Sequence, residues 1–431
     1  MKKRRVAITG LGAVSPLGNN VESTWNQLLA GASGISQITH FDASAFPTFI
    51  AAEVKDFDDE SMHLGKHQRF AMSFTHYALA AAQQALKDAG VCPTAETASR
   101  WGVVAGSGMM TAEFDYLQRF QRACAEEGEI NWQQLLANKQ AFYQLADFGK
   151  TTSNSGLSLL INELGITGYA TSVHTACASS GQALGLAMQV IRRGEADFMV
   201  AGGFDSMINP LGLSSFCLLG ALSTYNQTPT TASRPFDGTR NGFVLGEGAA
   251  FLILEEWDKA KARGARIYAE LAGEGNSLSS YRITDSHPNG DGAMQAIERA
   301  LADAQVSADA VDYINAHGTS TKMNDLSETN AIKAVFGARA KTIPVSSTKG
   351  QTGHLIAAAG ALEAVISVKA IEQSMVPATA NLTTPDPECD LDYVVDGPRA
   401  QPLRAVLSNS FGFGGSNSAL LFKHPEFEGT L

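Results

Sequence analysis

The residues able to do chemistry stand in three short stretches. The first is Thr175-Ala176-Cys177-Ala178-Ser179-Ser180-Gly181, with Cys177 where a strand should end and a helix begin. Unpaired amides and the helix dipole at such a start favour negative charge, which lowers a thiol's pKa and makes it a candidate nucleophile. Cys92, Cys124, Cys217 and Cys389 have no such setting and read as small hydrophobes.

The second stretch is a pair, Asn315-Ala316-His317-Gly318-Thr319-Ser320-Thr321 and Ser347-Thr348-Lys349-Gly350-Gln351-Thr352-Gly353-His354. Each histidine follows a strand-like run, which predicts a place at a strand's carboxyl end, where α/β sheets gather their active sites. A neutral imidazole there can donate to a carbonyl or enolate oxygen, or act as a base. His174 lies three residues before Cys177. Odd spacing on a strand puts the two on opposite faces, so His174 reads as structural. His40, His63, His67, His76, His287 and His424 read as surface or packing residues. The third stretch, Ser408-Asn409-Ser410-Phe411-Gly412-Phe413-Gly414-Gly415-Ser416-Asn417, sets glycines between aromatics. Such a loop can approach a ligand closely and pivot. Gly10-Leu11-Gly12 hints at a dinucleotide loop but lacks the full G-x-G-x-x-G spacing.

The elements that must position these residues alternate. Strand-like runs recur at Arg5–Thr9, Gly102–Ala105, Phe198–Ala201, Ala250–Leu254, Val311–Asn315, Ile343–Ser346, Ala405–Asn409 and Ser418–Phe422. Helical patterns at Phe70–Ala89, Ala178–Arg193, Gly292–Ala304 and Ala357–Gln373 lie among them. The alternation predicts an α/β architecture with buried sheets. A charged, helical stretch at Glu255–Arg266 is the best boundary and divides the chain into residues 1–260 and 261–431. A weak echo links the halves, because small-residue helices open at Ala178 and at Ala357, each after a strand and a turn.

Composition narrows the function. The chain has 431 residues, 44% hydrophobic and 17% charged, with 41 glycines. It is long enough for a large core, and nothing suggests disorder, collagen or coiled coil. A net charge of −11 is the wrong sign for a general nucleic-acid binder. Leu164 to Ile191 has no formal charge, but its Ser, Thr, Gln, His and Gly would leave polar groups unpaired in a bilayer. Five scattered cysteines, none in a CxxC pair, argue against disulfides or a metal site and for a cytoplasmic location.

Taken together, the cysteine, the two histidines and the Gly-rich loop resemble the β-ketoacyl-acyl-carrier-protein synthases of types I and II. The likeness also covers Val6-Ala7-Ile8-Thr9-Gly10-Leu11-Gly12, Ala221-Leu222-Ser223-Thr224, Ser233-Arg234-Pro235-Phe236-Asp237 and Gly242-Phe243-Val244-Leu245-Gly246-Glu247-Gly248. It implies a thiolase-like fold, two similar α/β halves in a five-layered α-β-α-β-α arrangement, as a homodimer. It implies decarboxylative Claisen condensation of an acyl-enzyme with malonyl carrier protein in fatty acid elongation. Cys177 would carry the acyl group, the amides of Cys177 and Phe413 would form the oxyanion hole, and His317 and His354 would stabilise the enolate. Lys349 and Glu363 match a supporting charged pair. Thr319 and Thr321 match contacts to the pantetheine arm, Phe411 and Gly414 belong to the substrate loop, and Met109 matches a residue of the acyl pocket. Lys66 and Arg69 match positions near the carrier-protein entrance. No cofactor is implied beyond the phosphopantetheine that arrives on the acyl carrier protein, and no metal, nucleic acid or membrane.

Some features depart from the family pattern. Gly220 stands where many type II members carry arginine, and Met109 to Lys150 is long and rich in aromatics. That stretch keeps open a specialised ketosynthase of polyketide or polyene synthesis. A non-catalytic partner subunit, like a chain-length factor, would lack Cys177. A thiolase would need a second catalytic cysteine, and Cys389 is not in such a motif.

Overall fold

The computed structural model describes residues 3–59, 62, 64–108, 114–126, 129–142, 144–152 and 154–427. The site rests on eleven strands in one hydrogen-bonded sheet and five of the helices around it. In chain order these are β1 (Val6–Val14), α1 (Ser73–Ala89), β2 (Trp101–Ser107), β3 (Ala170–Val173), α2 (Ser179–Arg192), β4 (Phe198–Ser206) and β5 (Glu247–Glu256). There follow β6 (Ala269–Leu278), α3 (Asp291–Ala304), β7 (Tyr313–Asn315), α4 (Lys322–Phe336), β8 (Pro344–Ser346), α5 (Ala359–Gln373), β9 (Asp392–Tyr393), β10 (Ala405–Phe411) and β11 (Ser416–Lys423).

The strand order is β9-β8-β7-β10-β11-β6-β1-β5-β4-β2-β3. Five strands on each side of its centre follow the same pattern, and β9 adds a sixth at one end. On one side β1 pairs antiparallel with β5, β5 antiparallel with β4, and β4 and β2 run parallel to β2 and β3. On the other, β6, β11, β10, β7 and β8 repeat those senses in order. Only Ala7↔Glu270 and Ile8↔Ala269 join the two half-sheets. Helices α2 and α5 lie side by side between the half-sheets, each touching both, while α1 covers one outer face and α3 the other. The layers therefore run α-β-α-β-α. Most residues of the central pair are buried, as a middle layer requires.

The repeat reaches single residues. Gly10 and Gly12 do not form a loop; they lie inside β1, after a register shift between Ile8 and Gly10. A Cβ on Gly12 would stand 1.9 Å from the Ala81 carbonyl of α1. In the other half, β6 shifts register between Leu271 and Gly273, and a Cβ on Gly275 would stand 1.9 Å from the Ala296 carbonyl of α3. Both glycine pairs let an outer helix lie directly on a strand. The G-x-G spacing thus serves packing, not a nucleotide.

The strands expected from the sequence coincide with observed ones to within a few residues, and so do the four helices. Strand β6 was not expected. Its Glu270, Gly273, Glu274 and Gly275 mask the apolar alternation. Glu270 is buried and held by Arg5 at 2.6 Å. The first half-sheet ends at Glu256 and the second begins at Ala269, and the division between residues 260 and 261 falls inside the short helix Trp257–Ala262. No helix among the described residues is long and apolar enough to cross a membrane.

Because α1 has no room to retreat, Gly12→Ala should cost about 1–3 kcal/mol in urea unfolding, the range of an overpacked core. An unchanged midpoint would contradict the packing role given to this glycine.

Candidate active site

Cys177 sits in a 3-10 turn, Ala176–Ala178, between β3 and α2. Ala176 takes a left-handed backbone, φ 50°, which tips the chain from strand into helix. The cysteine is 2% exposed and packs with Met207, Phe216, Phe243 and Ile356. Across the middle layer, Ile356–Ala358 makes the matching turn before α5. His354 just precedes it, after the helical turn Lys349–Thr352 and Gly353 at φ 67°. Its Nε2 lies 3.1 Å from Cys177 Sγ. The Ile356 amide donates to His354 Nδ1 at 3.3 Å. Nδ1 is therefore the acceptor, and Nε2 carries the proton that faces the sulfur.

His317 follows β7, and its ring stands edge-on to that of His354, with centroids 5.3 Å apart. The sulfur and one nitrogen of each ring all lie within 4.8 Å of one another. Behind the rings is a buried polar layer. Lys349 Nζ donates to the His317 carbonyl at 2.6 Å and pairs with Glu363. Glu328 on α4 accepts the amides of His317 (2.9 Å) and Gly318 (2.8 Å) and the Asn409 side chain (3.0 Å).

The charges set the protonation states. Burial pushes both imidazoles well below their ordinary range, and the Lys349 ammonium pushes them further. Both rings are thus neutral, each with one proton to donate. Burial also pushes the Cys177 thiol up to about 12, against the pull of Lys349 and of the Phe413 and Cys177 amides. The expectation that the helix start lowers this thiol's pKa does not hold in the resting protein, because desolvation outweighs the dipole. The same two amides that act on the sulfur are those expected to hold an oxyanion. Glu328 and Glu363 are each pushed up to about 7, chiefly by burial.

A cavity of about 530 Å³ leads to the sulfur. Cys177, His317, His354, Thr319, Thr321, Phe411 and Phe413 line it, and Gly220, Ile283 and Lys322 stand with them. The Thr319 and Thr321 hydroxyls are 2.9 Å apart. Phe413 leans on Phe216 with ring centroids 6.3 Å apart. The arrangement suits acyl transfer, with a sulfur nucleophile, paired amides and two neutral N–H donors lining one cavity.

Two family models match the chain, β-ketoacyl synthase N-terminal domain over residues 3–260 and C-terminal domain over 268–383. The chain belongs to the β-ketoacyl synthase family. As a member it is a condensing acyltransferase. It is 43% identical to a 3-oxoacyl-[acyl-carrier-protein] synthase 2 from Coxiella burnetii, covering 98% of this chain and 99% of that one. A synthase of the same description from Vibrio harveyi is 42% identical over 98% of this chain and 99% of its own length. Among solved structures, a β-ketoacyl synthase from Burkholderia phymatum matches with a TM-score of 0.88 at 33% identity, over 98% of this chain and 99% of that one. A ketosynthase in complex with its type II polyketide acyl carrier protein matches with a TM-score of 0.86 at 35% identity, over 98% of this chain and all of that one.

Within this β-ketoacyl synthase, some expected site residues do not meet. Gly414 is not among the cavity's lining residues; at φ 80°, its amide donates to the Ile283 carbonyl at 2.7 Å. Lys66 and Arg69 lie on the 3-10 turn Gly65–Phe70, and Arg69 is not among the cavity's lining residues. Arg69 is exposed, over the Phe70 ring. Met109 and the Lys66 side chain lie outside the described residues. His174 bonds to Ser107 and Ser172 and not to Cys177. Sequence reasoning missed Glu328. With Asp325, Ser327 and Thr329 around it, nothing local in the sequence marks this acid as buried.

Iodoacetamide alkylation of Cys177 in the resting protein should keep rising with pH beyond 9, because the thiol ionises only as pH climbs toward its raised value. A plateau below pH 8 would contradict the effect of burial on this thiol. Glu363→Ala leaves Lys349 buried without a counter-charge, and should cost about 3–5 kcal/mol in denaturant unfolding. A loss below 1 kcal/mol would show that the pair does not hold this layer together.

Proposed function

We propose that this synthase elongates acyl chains by decarboxylative condensation on acyl carrier protein, in fatty acid synthesis. The observation that carries the reading is the sulfur of Cys177 3.1 Å from His354 Nε2, with His317 beside it. Cys177 attacks the acyl carrier thioester. The amides of Cys177 and Phe413 hold the tetrahedral oxyanion, worth about 3 kcal/mol per donor in comparable sites. The carrier's pantetheine sulfur leaves with the proton that the thiol gives up. Malonyl carrier protein then binds with its arm past Thr319 and Thr321. Its carboxylate leaves as carbon dioxide, and the electron pair moves into an enolate whose oxygen takes hydrogen bonds from His317 and His354. The enolate carbon attacks the acyl thioester, and the Cys177 sulfur departs as a thiolate that takes up a proton from solvent. Two neutral imidazoles fit this role, because a donor is needed and a fixed positive charge is not. The phosphopantetheine belongs to the carrier, and the scheme asks for no further cofactor or metal.

The fatty acid reading is favoured over polyketide synthesis by identity. The synthase 2 relatives stand at 40–43%, the polyketide ketosynthase at 35%. A chain-length-factor role is disfavoured by the intact cysteine and its histidine partner. Lys66 and Arg69 are proposed to meet the acidic carrier, and Met109 to line the acyl pocket. We further propose a cytoplasmic homodimer. Strand β3 has a partner on one side only among the described residues, and Phe114, Trp132, Leu136, Leu145 and Phe148 are exposed in the segment between β2 and β3. A free sheet edge beside apolar surface is a pairing surface.

Cys177→Ala should abolish β-ketoacyl product while the fold survives, since Ala is smaller and equally apolar. Retained condensation would remove the nucleophile. His317→Ala should leave Cys177 able to accept an acyl group but lower malonyl decarboxylation by about 100-fold or more. Loss of acylation would instead make His317 the thiol's base. Light scattering on a sizing column should give twice the monomer mass, and a monomer would exclude the dimer.

A further inference from the structure

The two turns that meet at the site are related by the repeat that relates the half-sheets. Ala176 and Ile356 open them with left-handed backbones, φ 50° and 43°. Cys177 and Ala357 are therefore equivalent. Beside them, Gly203 of β4 lies against Ser180 of α2, as Ser410 of β10 lies against Gly360 of α5. Two residues further along each strand, Asp205 and Gly412 are then equivalent as well.

These two positions are filled differently. Asp205 Oδ2 accepts the Ala357 amide at 2.9 Å. Gly412 puts no side chain by the Cys177 amide, and a Cβ there would lie 3.2 Å from that nitrogen. One half caps its amide, and the other leaves it free for a substrate oxygen. The Asp205 carboxyl is buried, at 2% exposure, with Gly108 packed against it and no ion-pair partner among the described residues. Burial pushes it up to about 7, against the amides of Ala357 and Ser206. Burying such a group is costly, and its hydrogen bonds to these amides are what offset that cost. Through Ala357 it holds the turn whose preceding amide, Ile356, faces His354 Nδ1.

We propose that Asp205 is a positioning residue for His354. By holding the Ala357 amide it fixes the Ile356–Ala358 turn, so that Ile356 keeps His354 in the tautomer presenting Nε2–H to the sulfur and the enolate. The inference rests on the condensing function proposed above. Asp205→Ala should lower malonyl decarboxylation about tenfold or more, the scale of losing an outer partner of a working histidine. Iodoacetamide alkylation of Cys177 should not fall, since the Asp205 charge itself raises the thiol, and labelled-histidine nitrogen NMR should show mixed tautomers at His354. Asp205→Asn keeps an acceptor oxygen for Ala357 and should retain decarboxylation within about threefold, with a single tautomer. Wild-type decarboxylation and a single tautomer in Asp205→Ala would overturn the proposal. So would an Asp205→Asn variant as impaired as Asp205→Ala, and the Asn variant decides alone if the Ala variant does not fold. A wild-type protein that neither takes an acyl group nor decarboxylates would remove the function instead. The tautomer spectra need no substrate and would still decide the role of Asp205.

Discussion

One contact organises the molecule, the approach of His354 Nε2 to Cys177 Sγ within 3.1 Å in a buried site. The two residues are 177 positions apart in sequence. Neither could find the other by local folding. They meet because the chain builds the same half twice and packs the two central helices against each other. Each helix begins with a left-handed turn, and the repeat brings the two turns face to face. The glycine pairs of β1 and β6 serve the same end, since they let α1 and α3 cover the outer faces closely. The duplication is thus the means by which a sulfur from one half and an imidazole from the other share a site.

A single buried cation tunes that site. Lys349 helps hold both imidazoles neutral and draws the thiol down from where burial would leave it. Its own charge is met by Glu363 and the His317 carbonyl. Glu328 fixes the backbone of His317 and Gly318 with two oxygens. The working groups are therefore preorganised by partners that never line the cavity. The resting thiol is nonetheless uncharged, because burial outweighs the pull of Lys349 and of the two amides.

Much of this was legible in the residues. Cys177, His317, His354 and the Phe411–Gly415 loop stood out because small residues at strand ends leave room for chemistry. Thr319 and Thr321 came with the family resemblance, and both line the cavity. The strands read well where apolar runs are unbroken. Strand β6 did not, since its pattern carries Glu270, held by Arg5, and Glu274, which accepts from Asn276 of the same strand. Gly10 and Gly12 suggested a loop, and only the position of α1 shows why a strand needs them. Glu328 and Asp205 were invisible as functional residues, because nothing local distinguishes a buried acid from a solvated one. The thiol's raised pKa was misjudged for a related reason: a helix start is visible in sequence, and the depth of its burial is not.

The most direct test is to expose the protein to acyl-loaded carrier protein and weigh its cysteine peptides. The Cys177 peptide should gain the mass of the acyl group, and those of Cys92, Cys124, Cys217 and Cys389 should not. An unmodified Cys177, or an acyl group on any of the other four, would contradict the assignment of this sulfur and the mechanism built on it.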